Sequence, residues 1–184
     1  MPPANRLLGQ SHYLQLTSSS GGVVDLGDYR LRRFDPDDLA RYAELMCDEG
    51  TRGVWAIAEQ PEVYAARCAH FPLPWVAAVE SRPVGVIVGI VVAHGDLCGE
   101  YSDLAVYLVS EHRGQGLGRL ILSVLVTLAR DYGTQPTVRT MSGDERASAV
   151  AGKCGFRVVG PDPDHPRQIL WRYVVPAAIA DVGE

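Results

Sequence analysis

The sequence has no apolar run long enough to cross a membrane as a helix. Its strongest apolar stretch, residues 83–93, falls short of the roughly 20 residues that a spanning helix needs and is better explained as a buried strand. Residues 1–24 also lack the basic start and the apolar centre of a signal peptide. We therefore expect a cytoplasmic protein with no membrane partner.

Closely spaced metal ligands are missing as well. The four cysteines are scattered, with no close pair at metal-ligand spacing, and the five histidines show no such spacing either. In a cytoplasmic protein, scattered cysteines are expected to be reduced structural thiols. The sequence therefore predicts no metal cofactor.

The chain also lacks an excess of basic residues. Its 17 Lys and Arg against 22 Asp and Glu give a net charge of −5, whereas a nucleic-acid-binding domain normally carries a basic patch. We expect no nucleic-acid partner. The acidic balance is compatible with a cationic or amine-bearing substrate, although such a charge also serves solubility alone.

What is present fits one well-buried domain. The length of 184 residues, with 47% hydrophobic and 21% charged residues, is typical of a soluble globular protein. Residues 17–22 (Thr-Ser-Ser-Ser-Gly-Gly) have the composition of a flexible linker. We therefore expect a flexible arm over residues 1–24, a domain over residues 25–176 and a tail over residues 177–184. An extra edge strand within the arm is the alternative.

Apolar periodicity predicts strands interleaved with helices in the order β-α-α-β-β-β-α-β-α-β-β, an α/β layer with a mixed, mostly antiparallel sheet. The strand over 84–92 is apolar on both faces, so we expect it at the centre of the sheet, with its glycines at a bulge or a close backbone neighbour. The helix over 117–132 is apolar nearly all round and is expected to be buried. The other strands are expected at 29–34, 75–80, 101–109, 136–141, 156–159 and 168–174, and the other helices at about 35–46, 60–69 and 144–153.

Residues 112–119 read His-Arg-Gly-Gln-Gly-Leu-Gly-Arg, between a predicted strand and a predicted helix. Glycine allows the backbone to turn tightly and to approach a ligand closely. The helix that follows directs its unpaired N–H groups and its positive dipole end at this loop. The loop therefore predicts a phosphate site, with Arg113 and Arg119 as charged support. Arginines on a solvated surface are the alternative.

Neither common nucleotide motif fits this loop. A P-loop requires Gly-x4-Gly-Lys-Ser/Thr, and no lysine follows at the required place. A dinucleotide fingerprint requires Gly-x-Gly-x-x-Gly, but Gly114 and Gly116 are followed by Arg119 at the third position. Starting the motif at Gly116 places Ile121 there instead. Both readings fail.

The loop does contain Arg-x-x-Gly-x-Gly, formed by Arg113, Gly116 and Gly118. This element resembles that of the GNAT family of acyl-CoA-dependent N-acyltransferases. Residues 144–156 are similar to a second segment of the family, a short helix ending in Gly-Phe, and residues 29–39 to its opening strand and acidic helix start. The resemblance covers residues 28–175. It implies the GNAT fold: a twisted, mixed and mostly antiparallel sheet of about six to seven strands, flanked by about four helices.

By this resemblance, backbone N–H groups of the loop hold the pyrophosphate of coenzyme A, and the preceding strand pairs with the pantetheine arm. That strand is expected to splay from its neighbour and leave a slot for the thioester. The family commonly has Asn where this chain has Asp144. An aspartate still caps the helix, but it lacks the side-chain N–H donor of asparagine. The implied cofactor-binding residues are Val106, Tyr107, Leu108, Arg113, Gly114, Gln115, Gly116, Leu117, Gly118, Arg119 and Asp144.

Direct acyl transfer requires a base to take a proton from the amine, acting directly or through water. By the two-residue period of a strand, Asp103 shares one face with Tyr101 and Tyr107. Asp103 also corresponds to an acidic position that looks like the base in some family members. We take Asp103 as the candidate base and Glu100 as the second candidate. A solvated or salt-bridged aspartate is the alternative.

The proton for the leaving thiolate has no obvious source. The family often places a Tyr hydroxyl where this chain has Ala151, which cannot donate a proton. Ser148, one turn earlier, is the remaining catalytic candidate on this helix, with an ordinary helix-surface serine as the alternative. Water can serve instead, because the thiol has an ordinary pKa. We expect Cys154 to pack in the core.

The resemblance implies transfer of an acetyl or short acyl group from acetyl-CoA to a primary amine. The acceptor is either a small molecule or a protein lysine or N-terminus, and a homodimer stays open because many such domains form dimers. A GNAT-like module that binds acyl-CoA without catalysis is the rival hypothesis. The segments expected to determine the acceptor, residues 46–75 and 160–172, carry no recognisable signature.

Overall fold

The computed structural model describes residues 24–32, 36–47, 75–95, 100–131 and 133–175. The predicted arm up to residue 23, the predicted helix at 60–69 and the predicted tail lie outside these described residues. The strands are β1 (Val24–Asp25), β2 (Tyr29–Arg32), β3 (Trp75–Ser81), β4 (Val86–Gly95), β5 (Tyr101–Leu108), β6 (Gln135–Met141), β7 (Phe156–Pro161) and β8 (Gln168–Tyr173). The helices are α1 (Leu39–Cys47), α2 (Leu117–Asp131) and α3 (Glu145–Lys153), with single 3-10 turns at Pro36–Asp38 and Ser110–His112.

The strands form one sheet in the order β1-β2-β3-β4-β5-β6-β8-β7. Neighbouring strands are antiparallel except for β5 and β6, which are parallel. The predicted mixed, mostly antiparallel α/β sheet is confirmed. The described residues contain eight strands rather than six or seven. The additional strand is β1, whose two residues are too few to show any periodicity.

Strand β4 lies in the interior of the sheet, as its apolar sequence predicted, and Ile90 and Val91 are fully buried on its two faces. The prediction for its glycines is confirmed at Gly89 and wrong at Gly85, which lies in the turn before β4 with no atom within 4 Å of a built Cβ. A side chain at Gly89 would place its Cβ only 2.3 Å from the carbonyl oxygen of Tyr107 on β5. The pairing of β4 with β3 shifts register at the same place, between Val79 and Glu80. Gly89 therefore allows β4 and β5 to approach closely beside a bulge.

Helices cover the two faces of the sheet. On the face that we call the α2 face, α2 and α3 pack over a core that includes Leu104, Leu108 and Phe156. On the opposite face, the α1 face, Tyr42 and Leu45 of α1 pack against side chains of β3, β4 and β5. No helix within the described ranges is long and apolar enough to cross a membrane.

Helix α2 is amphipathic, so the prediction that it is buried all round was wrong. Its buried residues include Ile121 and Leu125, which face the sheet. Leu120 is 46% exposed, and Ser123 and Thr127 are also on the solvent side. Apolar composition alone did not separate these two sides. Gly133, with a φ of 79°, follows the helix.

An ionic cluster joins the first strands to the start of α1. Glu80 on β3 is almost fully buried and accepts hydrogen bonds from Arg30 and Arg32 on β2. Arg32 also donates to Asp38, in the turn before α1, at 2.5 Å. Burial acts to raise the pKa of Glu80, but the hydrogen bonds from Arg32 and Arg30 outweigh it and hold the pKa below its ordinary value of 4.5.

We expect Gly89→Ala to destabilise the protein by about 1–3 kcal/mol or more, because the new methyl group meets backbone that cannot move without separating β4 from β5. The control is Gly152→Ala in α3, where no atom lies within 4 Å of the added Cβ and Ala is the better helix former. Urea unfolding compares the two variants. Equal stability of both variants would contradict the close approach at Gly89.

The ionic cluster predicts a dependence of stability on pH. Because the pKa of Glu80 is lower in the folded protein than in the unfolded chain, the carboxylate stabilises the fold above about pH 4.5, and this contribution is lost as the pH falls further. Glu80→Gln should cost about 2–4 kcal/mol at pH 7, with a smaller difference from wild type at pH 3.5. Glu44→Gln, in an exposed pair with Arg41, is the control and should change stability little at either pH.

Candidate functional site

Strands β5 and β6 run side by side at one end and separate at the other. Their parallel pairing extends from Tyr101↔Gln135 to Leu104↔Val138. Beyond this point β5 stays paired with β4 as far as Leu108, and β6 stays paired with β8 as far as Met141. The result is a V-shaped opening between residues 105–108 of β5 and 139–141 of β6, which we call the fork. The predicted splay of this strand from its neighbour is present.

The closed end of the fork is held by buried polar contacts. The hydroxyls of Ser102 on β5 and Thr134, just before β6, lie 2.6 Å apart. Thr134 also donates to the carbonyl of Ala129 at 2.9 Å, near the end of α2. The backbone N–H of Gln135 donates to the carbonyl of Glu100 at 2.8 Å. These contacts keep the strands together below the fork, so the opening has a fixed base.

The glycine loop lies where β5 leaves the sheet. Gly114 and Gly116 have φ values of 79° and 84°, a conformation that other residues rarely adopt. No atom lies within 4 Å of a Cβ built at either position, so the loop backbone is open on that side. Helix α2 begins at Leu117, and its first N–H groups have no acceptor within the helix. This geometry fits a pyrophosphate held by backbone donors.

The side chain of Arg113 turns back onto β5. Its Nε donates to the carbonyl of Leu108 at 2.6 Å, and its guanidinium lies 5.4 Å from the centre of the Tyr107 ring. His112, beside it, has Nδ1 at 3.0 Å from the hydroxyl of Tyr29 on β2. Both contacts tie the start of the loop to the sheet. The loop is therefore positioned by β5 and β2 as well as by α2.

Of the remaining loop side chains, Leu117 is buried in the core of the α2 face, whereas Gln115 and Arg119 are exposed. Gln115 donates to the carbonyl of Glu111 at 3.2 Å, and Arg119 is exposed on the first turn of α2. On β5, the side chains of Tyr107 and Leu108 are buried on opposite faces of the sheet. The end of β5 thus presents its backbone edge to the fork. The family resemblance implies contacts to the pantetheine arm along this edge.

Asp103 lies at the base of the fork, one residue before the last β5–β6 pair. Its side chain is 22% exposed and is ion-paired with Arg139 on β6. The hydroxyl of Thr137 lies 3.4 Å from the other carboxylate oxygen. The ion pair matches the salt-bridged alternative that the sequence left open. Asp103 therefore lies at the closed end of the fork, two residues before the opening begins at Ala105.

Arg139 joins two carboxylates. Its Nη1 donates to Asp103, and its Nε donates to Asp162, which follows β7 and is only 1% exposed on its side chain. Burial acts to raise the pKa of Asp162, but hydrogen bonds from Arg139 and from the backbone N–H of Asp164 lower it overall. Burial acts to lower the pKa of Arg139, and the charges of Asp103 and Asp162 raise it overall. Asp162 and Arg139 are therefore both charged at neutral pH.

The sequence did not identify Arg139 or Asp162. The only signal for Arg139 was a charged residue inside a predicted strand, two positions from Thr137 on the same face. Asp162 lies in a turn rich in Pro and Asp, where an aspartate has no special meaning. Their pairing depends on the strand order β6-β8-β7.

Glu100, the second candidate base, lies at the other end of β5. It is exposed and precedes Tyr101, at the closed end of the fork. At about 3.3 Å per residue, it is roughly 16 Å along the strand from Ala105, where the opening begins. The structure therefore brings Asp103 to the fork and does not bring Glu100 there.

Asp144 and Ser148 belong to α3. The carboxylate of Asp144 accepts the backbone N–H of Ala147 at 2.9 Å, so the predicted helix cap is confirmed. The hydroxyl of Ser148 lies 3.4 Å from that of Thr140 on β6, which also accepts the indole N–H of Trp171 at 2.9 Å. Ser148 therefore faces β6, near the far wall of the fork.

Ala151 and Cys154 pack on the α2 face. Ala151 is 2% exposed and belongs to the core of that face. Cys154 is half-buried, with its Sγ 3.8 Å from the hydroxyl of Ser123 and 3.7 Å from the carbonyl of Arg119. Burial raises the pKa of the Cys154 thiol, against the smaller lowering effects of Ser123 and Arg119. Cys154 thus packs against the core while remaining half-buried, rather than lying inside the core as predicted.

Of the five histidines, His94 lies in β4, and His70 is outside the described residues. Within the part of the chain that the structure describes, no group of His, Cys, Asp or Glu side chains could hold a metal ion.

Comparison with known proteins agrees with this geometry. The model of the acetyltransferase (GNAT) family matches residues 39–156, more than half of the chain. A GNAT-family acetyltransferase from Bacillus anthracis superposes with a TM-score of 0.68 at 12% identity, covering 83% of this chain and 98% of its own. The ribosomal-protein-S5-alanine acetyltransferase from Vibrio fischeri gives a TM-score of 0.68 at 15% identity, covering 83% and 96%. An acetyltransferase from Agrobacterium tumefaciens superposes with a TM-score of 0.67 at 17% identity, and the match covers 83% of this chain and 94% of that protein. The chain belongs to the GNAT acetyltransferase family.

Proposed function

We propose that this protein transfers an acetyl or short acyl group from acetyl-CoA directly to a primary amine. The observation that carries the proposal is the fork, because its open β5 edge starts at Ala105 and leads to the glycine loop at the N-terminus of α2. An extended arm can pair with the free edge, and a pyrophosphate can accept N–H groups from the loop. Membership of the family supports the same donor.

In this proposal each part of the donor has its own binding element. Backbone N–H groups of residues 113–119 hold the pyrophosphate, and the backbone of Val106, Tyr107 and Leu108 pairs with the pantetheine arm. Asp144 caps α3 beside the fork. The contact between Arg113 and Leu108 fixes the angle at which the loop leaves β5. The thioester then lies inside the fork, level with residues 105–106.

Asp103 is our candidate base, and Arg139 holds its carboxylate at the base of the fork. The carboxylate takes a proton from the acceptor ammonium, directly or through water. The amine nitrogen then forms a bond to the acyl carbon, the C–S bond breaks, and the nitrogen gives up its second proton to water. Backbone donors at the β5 edge can stabilise the developing oxyanion. The departing thiolate takes a proton from water, since Ala151 has none to give and Ser148 faces Thr140.

A module that binds acyl-CoA without catalysis is the second candidate function. The observation that favours it is Ala151, a buried methyl group where the family often has a Tyr hydroxyl. Such a module would keep the loop and the fork but would need no base. The presence of Asp103 at the base of the fork favours the enzyme.

Names of structural neighbours do not define the acceptor. They include a ribosomal-protein-S5-alanine acetyltransferase and a spermidine N-acetyltransferase, which act on different amines. The proposed acceptor is therefore either a small-molecule amine or a protein lysine or N-terminus. The proposal allows a homodimer as well. We expect the reaction to take place in the cytoplasm.

We expect Gly116→Ala to weaken CoA binding by about tenfold or more, because a side chain is strained at a φ of 84° and the loop must change shape to relieve the strain. The matched control is Gly27→Ala, which has a φ of 78°, equally open surroundings and a position in the turn before β2. Calorimetric titration with CoA measures the affinity of both variants. If Gly27→Ala weakened binding as much as Gly116→Ala, the loop would not be the phosphate site.

We expect Asp103→Asn to lower kcat by about 10²–10⁴, with little change in the KM for acetyl-CoA. The control is Asp162→Asn, which removes the other carboxylate bound to Arg139 but lies outside the fork. The measurement is steady-state thiol release from acetyl-CoA over a panel of primary amines.

Three results are distinguishable. A loss confined to the Asp103 variant supports the base. Equal losses in both variants assign Asp103 only a structural role in the ion pairs of Arg139. CoA binding by the wild-type protein, with no turnover on any amine, would support the non-catalytic module instead.

A further inference from the structure

We propose that the acceptor amine carries an anionic group, a carboxylate or a phosphate, which is bound by Arg172 and Arg157 on the α1 face of the sheet. This inference rests on the proposed acyl transfer and specifies its substrate class. The two arginines were not among the predicted site residues. Their position relative to Asp103 is what suggests the role.

Asp103, Thr137, Arg172 and Arg157 form one row across four strands. Asp103 on β5 pairs with Thr137 on β6, which pairs with Arg172 on β8, which pairs with Arg157 on β7. Residues directly opposite each other in neighbouring strands direct their side chains to the same face. The hydroxyl of Thr137 and the carboxylate of Asp103 indeed meet on that face. The row therefore leads from the base of the fork to two exposed guanidinium groups.

The direct pairing of Arg157 with Arg172 is electrostatically unfavourable. Like charges opposite each other in neighbouring strands destabilise a sheet. Within the described ranges neither side chain has a carboxylate partner: Arg157 donates to the carbonyl of Phe156, and Arg172 lies 5.2 Å from the centre of the Tyr101 ring. An anion bound between the two guanidinium groups would remove this repulsion.

The local charge contrasts with that of the whole chain. At the fork, the two carboxylates of Asp103 and Asp162 share the single guanidinium of Arg139. Arg157 and Arg172 add two positive charges on the same face. The row is thus negative at the fork and positive two to three strands away, in a chain of net charge −5. An acceptor with an ammonium at one end and an anion at the other matches this polarity.

The spacing of the strands limits the length of such an acceptor. Neighbouring strands lie about 4.8 Å apart, so β5 and β8 are separated by roughly 10 Å, and the Asp and Arg side chains shorten the gap. An amine separated from its anion by a few methylene groups fits this distance.

The two arginines are also too distant to bind the pyrophosphate of the donor. Arg172 is level with Thr137 and Asp103, below the opening of the fork. The glycine loop begins after Leu108, five residues further along β5, or about 16 Å. In this proposal, the anion that they bind therefore belongs to the acceptor.

The test compares acids with their amides. Acetyl transfer is measured for the ω-amino acids from β-alanine to 6-aminohexanoate, for the corresponding carboxamides and for putrescine, with O-phosphoethanolamine against ethanolamine as the phosphate arm. We expect kcat/KM to favour the anionic member of a pair by about ten- to hundredfold, the effect of one charge-assisted contact. One chain length should be optimal.

The ratio of kcat/KM for the acid to kcat/KM for its amide should fall toward one in Arg172→Gln. It should decrease less in Arg157→Gln, and Arg172→Lys should retain part of the preference for the acid. Because the same substrates are used for every variant, differences in amine pKa cancel. The control is Arg130→Gln on α2, whose guanidinium also lies over a tyrosine ring, that of Tyr173 at 5.7 Å, but away from the row. It should leave the ratio unchanged.

The outcomes separate this inference from the proposed function. Transfer at equal rates to acids and amides, or a preference for putrescine, would overturn the inference and leave acyl transfer intact. If no amine is acetylated, calorimetric titration of the same compounds into the CoA-bound protein tests whether the anion site exists. Binding of acids but not of amides, lost in Arg172→Gln, would then support the anion site without catalysis, and equal binding of acids and amides, or none at all, would overturn it.

Discussion

The close approach of β4 to β5 is the constraint on which the rest of this structure depends. A strand that leaves one neighbour must be held by the other, or its free end would lose its position. β5 parts from β6 after Leu104 but remains paired with β4 up to Leu108, opposite Gly89. Only glycine allows the backbones to meet there. The free edge of β5 and the glycine loop after it are both placed by this pairing.

A second link crosses the base of the fork on the α1 face. Arg139 on β6 joins Asp103 on β5 to the buried Asp162 beyond β7. A buried carboxylate that lost this guanidinium would be left without its counter-charge, which is costly, so the three groups hold one another in place. The same ion pairs that stabilise this part of the sheet also orient the Asp103 carboxylate, which we propose as the base. Stability and the proposed chemistry thus share Arg139.

The sequence predicted what depends on local pattern and missed what depends on strand order. The glycine loop, the cap at Asp144 and the central position of β4 follow from residues close together in the chain, and the structure has all three. Arg139 and Asp162 are 23 positions apart and meet only because β8 lies between β6 and β7. Helix α2 was misjudged because its solvent side carries Leu120 among small polar residues. Strand β1 has only two residues, which is too short for the alternating apolar pattern of a strand to be recognised in the sequence.

The two faces of the sheet divide the proposed reaction between them. Helices α2 and α3 cover one face, and both begin at the edge where β5 and β6 end, so the helix N-termini favour the anionic donor there. On the opposite face, Asp103 and Arg172 lie level with each other below the opening. A thioester inside the fork is bordered by both faces, which lets donor and acceptor approach it from opposite sides without sharing a binding surface. Changes on β7 and β8 can therefore alter the acceptor while the loop, the fork and the bound donor stay the same.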